Sequence, residues 1–185
     1  MRTILDRFYA LTLYLAAACL ALIAVLVGAQ VIGRTFDELL KLFGYPPYGF
    51  LVVSLAEIAG YLLAAGSFLA LAATLKSGAH IRVTILLGSV PEGVRFWLEI
   101  WALAAGAVFI GFICFNHLQL TFDSIRFNEV SYGIIPVPLA IPQAVMAFGA
   151  IVLLVALLDE LAVTVRTGRP SFRAGEDVVT GAKEG

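Results

Sequence analysis

Charge is what this sequence has least of. Only 14% of its 185 residues are Asp, Glu, Lys or Arg, against 61% hydrophobic ones, and the mean hydropathy is +0.98. A soluble domain carries roughly 25% charged and about 45–50% apolar residues, so the composition excludes a soluble globular fold. The few charges nearly cancel, at a formal net of −1, and no basic field is available for nucleic acid. Cysteine is almost absent: Cys19 and Cys114 lie inside apolar runs, without a CxxC spacing or histidine company. They read as small buried hydrophobes, not as a disulfide or a metal pair. Metal-ligand spacings, a nucleophile elbow, a phosphate loop and a dinucleotide fingerprint are all missing. The expectation is a non-enzymatic chain that binds no metal or cofactor of its own.

What the sequence has is four long apolar runs. They fall at about residues 9–32, 50–75, 94–117 and 138–160, each with the roughly 20 residues that a helix needs to cross about 30 Å of hydrocarbon. The first and last runs hold no charge between Arg7 and Arg34 and between Pro138 and Leu158; the second holds Glu57, and the third Arg95 and Glu99 near its start. Only a helix satisfies its own backbone in lipid at this length. The expected fold is therefore an all-α membrane protein of four transmembrane helices, one domain over residues 1–165, followed by a polar tail over 166–185. The first run is too long for the apolar core of a signal peptide and has no clear small-x-small cleavage site after it.

Direction follows from the lysines and arginines. Arg2 and Arg7, then Lys76, Arg82 and Arg95, then Arg166, Arg169, Arg173 and Lys183 fall on one side; Arg34, Lys41 and Arg126 fall on the other. Nine against three places both termini in the cytoplasm by the positive-inside rule. Trp97 and Trp101 then stand near the inner end of the third span, where aromatic anchors are common.

Between the first two spans, Phe36, Leu39, Leu40 and Phe43 fall on one helical face, with Asp37, Glu38 and Lys41 on the other. Thr35 and Glu38 have capping-box spacing, and Pro46-Pro47 stop the run. The pattern predicts a short amphipathic helix at residues 35–43, lying in the outer interface. Between spans two and three, "TLKSGAHIRVTILLGSVPEG" packs Lys76, His80 and Arg82 into seven residues amid apolar neighbours. It predicts a second interfacial piece, its basic groups at the anionic lipid headgroups.

A haem between two histidines is excluded, because His80 and His117 are predicted to lie at opposite ends of the spans. The mid-span sections "ALIAVL", "LAAGSFLA", "AAGAVFIG" and "GAIVLLVA" offer nothing to coordinate an ion, whereas carriers place polar groups at midplane. The expectation is an accessory role, not a pathway. Glu57 is the acid most in need of a partner, since a charge in the hydrocarbon is costly; Glu99 has Arg95 one turn earlier. The steps Gly60/Ala64, Gly66/Ala70, Ala102/Gly106 and Ala107/Gly111 allow close helix packing.

Two stretches carry a resemblance. "SLAEIAGYLLAAGSFLALAATLKSGAHIRVTILLGSVPEGVR", Ser54 to Arg95, has Glu57 early in its span, then Lys76, Gly78, His80-Ile81 with Val83, and Pro91 ahead of Arg95. "GIIPVPLAIPQAV", Gly133 to Val145, makes a proline-rich entry into the fourth span. In this order they resemble the small integral membrane subunits (Q-type small permeases) of tripartite ATP-independent periplasmic (TRAP) transporters. The chain departs from that family in carrying Lys76 where arginine is frequent and a single Glu57 where paired acids are. The resemblance implies a bacterial inner-membrane protein that supports a large permease subunit, with sodium bound in that permease. It also implies a periplasmic substrate-binding protein that delivers an organic acid. Glu57, Lys76, His80, Arg82, Arg95, Trp97 and Trp101 are the candidates for contacting the permease or anchoring the chain to membrane lipids. The competing reading is a membrane-anchor subunit of a respiratory or other enzyme complex.

Overall fold

The computed structural model describes residues 2–77 and 91–168, and within them four helices account for nearly all the regular structure. These are α1 (Arg2–Leu42), α2 (Leu55–Lys76), α3 (Glu92–Arg126) and α4 (Ala140–Thr167). All four are long and apolar enough to cross a membrane. The protein is an all-α, multi-pass membrane protein.

Local chemistry sets the ends. α1 stops where Gly44 takes a left-handed conformation (φ 78°) and the amide of Tyr45 reaches back to the Leu40 carbonyl at 2.9 Å; Pro46-Pro47 forbid continuation. α3 begins after Pro91, and its end is closed by the Phe127 amide on the Asp123 carbonyl at 2.8 Å. Pro142 sits in the first turn of α4, where its missing N–H leaves no hydrogen bond unmade. Gly168 (φ 74°) terminates α4 with its amide on the Thr164 carbonyl.

Two boundaries differ from the sequence reading. Residues 35–43 are not a separate interfacial helix: they continue α1 without a break, giving 41 residues and about 60 Å of helix. The Thr35 hydroxyl donates to the Val31 carbonyl at 2.9 Å, so the capping box that would have started a new helix does not form. The polar face of this stretch holds the chain on its way back. The amides of Tyr48 and Gly49 donate to the Asp37 carboxylate at 2.7 and 3.1 Å, and the Phe50 ring lies on Gly33. α3 likewise runs nine residues past His117. The predicted interfacial piece around His80 and Arg82 lies outside the described residues, as does most of the polar tail.

The helices pack in the order α1–α2–α4–α3, with α2 and α4 at the centre. Small residues set the separations. Gly149 of α4 lies so close to the Phe68 backbone of α2 that a Cβ there would meet its carbonyl carbon at 2.7 Å. Gly66 of α2 faces Ala16 and Cys19 of α1, where a Cβ would still find room at 3.4 Å. Of the four small-residue steps seen in the sequence, only those through Gly66 and Gly106 put a glycine against another helix; Gly60 and Gly111 face open space. Two apolar cores result. Tyr9, Ala72, Val152 and Ala156 join α1, α2 and α4, while Leu103, Ala107, Leu153 and Leu157 join α3 to α4, with Leu71 and Leu75 of α2 against them.

Candidate functional site

The bundle concentrates its chemistry at two levels. At one end, Lys76 closes the last turn of α2 and its ammonium turns inward to α4. It lies 2.7 Å from Asp159 Oδ2, 3.3 Å from Glu160 Oε2, and 5.7 Å from the ring centroid of Tyr9 on α1. One cation thus ties three helices, by two ion pairs and a cation–π contact. Glu160 is fully buried, and beneath it Thr164, also buried, donates its hydroxyl to the Glu160 carbonyl at 2.8 Å. Thr12, one turn along α1, donates to the Tyr9 carbonyl at 2.9 Å. The Tyr9 hydroxyl itself is buried and makes no hydrogen bond.

Lys76 was grouped by sequence with His80 and Arg82 as a basic knot at the lipid headgroups. The structure separates it from that role: its charge is spent inside the bundle. His80 and Arg82 lie outside the described residues. The partners Asp159 and Glu160 were not singled out, because they sit at the boundary of the fourth apolar run and read as its polar edge. The available signal is coarse and topological: alternating spans leave α2 and α4 parallel, with their C-terminal ends at one level, without fixing which residues pair there.

Near the other end, Glu57 stands in the first turn of α2, where the helix dipole favours a carboxylate. Its Oε1 accepts the Tyr61 hydroxyl at 2.8 Å, one turn on. Its Oε2 is buried, accepts no hydrogen bond, and abuts Gly133 of the loop between α3 and α4; a Cβ at Gly133 would overlap the carboxylate. Beside it the Ser54 hydroxyl accepts the Ile135 amide at 3.2 Å. Glu57 is thus hydrogen-bonded within its own helix, to Tyr61, and its other oxygen lies against this chain's own loop.

On α3, Arg95 and Glu99 pair at 3.6 Å across one turn, as their spacing suggested. Trp97 and Trp101 project away from the other described helices, 69% and 71% exposed. His117 is deeper than the sequence implied: its ring packs on Phe68, in the interior of α2, with centroids 5.5 Å apart. A groove of about 690 Å³ opens between α1, α2 and α4, lined by apolar groups such as Ala18, Ala65, Ala144 and Phe148, with Cys19 and Tyr61 on its walls.

Every one of these charged contacts joins helix to helix, or turn to turn, of one chain. Fold and site together define a multi-pass membrane protein held by internal polar struts. A family model described as the DctQ component of tripartite ATP-independent periplasmic transporters matches residues 23–167. The chain belongs to this family, and so is a component of a TRAP transporter. No curated protein matches the chain.

Proposed function

We propose that this chain is the small membrane subunit that supports a large TRAP permease in the bacterial inner membrane, with both of its own termini in the cytoplasm. In this reading the permease binds sodium and moves an organic acid, which a periplasmic binding protein delivers. The small subunit is not an enzyme and carries no cofactor. The single observation that carries the reading is the commitment of the membrane-level charges: Lys76 to Asp159 and Glu160, Arg95 to Glu99, and Glu57 to Tyr61. Ionisable groups inside a membrane ordinarily mark a pathway or a partner. Here Lys76, Arg95 and one oxygen of Glu57 are engaged within the chain, which suits a scaffold better than a conduit. The outward Trp97 and Trp101 of α3 are the candidates for permease or lipid contact.

The test is genetic and biochemical. Deleting this reading frame while keeping its transport partners is expected to abolish sodium-dependent uptake of the labelled organic acid, and a plasmid copy is expected to restore it. Undiminished uptake after deletion would overturn the proposal, as would solute flux through the purified chain alone in liposomes.

A further inference from the structure

We draw no further inference here: the strongest candidate, the apolar groove of about 690 Å³ between α1, α2 and α4, carries nothing, because nothing in the structure shows what covers it.

Discussion

Replacing Lys76 with methionine keeps the side-chain stem packed and removes only the charge that joins α2 to α4. At the observed 3.3 Å from Glu160, unit charges attract by about 5 kcal/mol at an effective dielectric near 20. Much of that offsets the desolvation of burying them. The loss on mutation is nevertheless large, because the carboxylates stay behind: Glu160 has no exposed side-chain surface, and Asp159 keeps only 25%. Stranding a buried charge costs about 3–5 kcal/mol. The residual hydration of Asp159 argues for the lower end, so Lys76→Met is expected to destabilise by about 3 kcal/mol, or roughly a hundredfold in the folded-to-unfolded ratio. Unfolding in mixed micelles, followed by Trp97 and Trp101 fluorescence, measures it. Adding Glu160→Gln should recover part of the loss, since the double variant leaves one carboxylate fewer without its Lys76 pairing; a double-mutant cycle isolates the coupling. If Lys76→Met stays within about 0.5 kcal/mol of wild type, or the cycle shows no coupling, the cluster is not what holds these helices together.

Three further outcomes follow from the packing. Gly149→Ala drives a methyl into the Phe68 backbone and should cost about 1–3 kcal/mol, whereas Gly28→Ala, with open space around it, should be neutral or gain up to about 1 kcal/mol in the same assay. Tyr9→Phe deletes a buried hydroxyl with no partner while keeping the ring beside Lys76; stability should be unchanged or raised by about 1 kcal/mol, and Tyr9→Ala should lose about 3 kcal/mol or more. An apolar maleimide should modify Cys19, on the groove wall, well before the buried Cys114, as mass spectrometry of the labelled peptides would show.

The four spans were legible because twenty apolar residues in a row have one stable solution in lipid. The pair Arg95–Glu99 was legible too, since a one-turn spacing fixes the contact before any tertiary structure exists. The interfacial helix was misread for a definite reason. The amphipathic pattern of Phe36, Leu39, Leu40 and Phe43 is real, but pattern alone does not say where a helix begins, and Thr35 bonds backward to Val31 instead of capping forward. Long-range pairings were out of reach in a different way. Lys76 with Glu160 and Glu57 with Gly133 join residues more than seventy positions apart, and composition near either partner gives no hint of the other. Depth was misjudged for His117, because α3 continues to Arg126 and carries the histidine inward against Phe68. The closest backbone approach, at Gly149, was likewise hidden, since nothing one turn away from it completes a small-residue step in the reading of the sequence.

The order α1–α2–α4–α3 has a consequence for biogenesis. The fourth of the described helices touches all the others: α4 meets α1 through Phe148 on Phe8, α2 through Gly149 on Phe68, and α3 through Leu153 and Leu157. Until it leaves the ribosome, the lysine at the foot of α2 lacks its acidic counterparts and α3 lacks the larger part of its packing surface, keeping only contacts to α2 such as His117 on Phe68. Emergence of the fourth helix and closure of the bundle therefore coincide, and a polypeptide truncated before it would leave that ammonium at the membrane without Asp159 and Glu160.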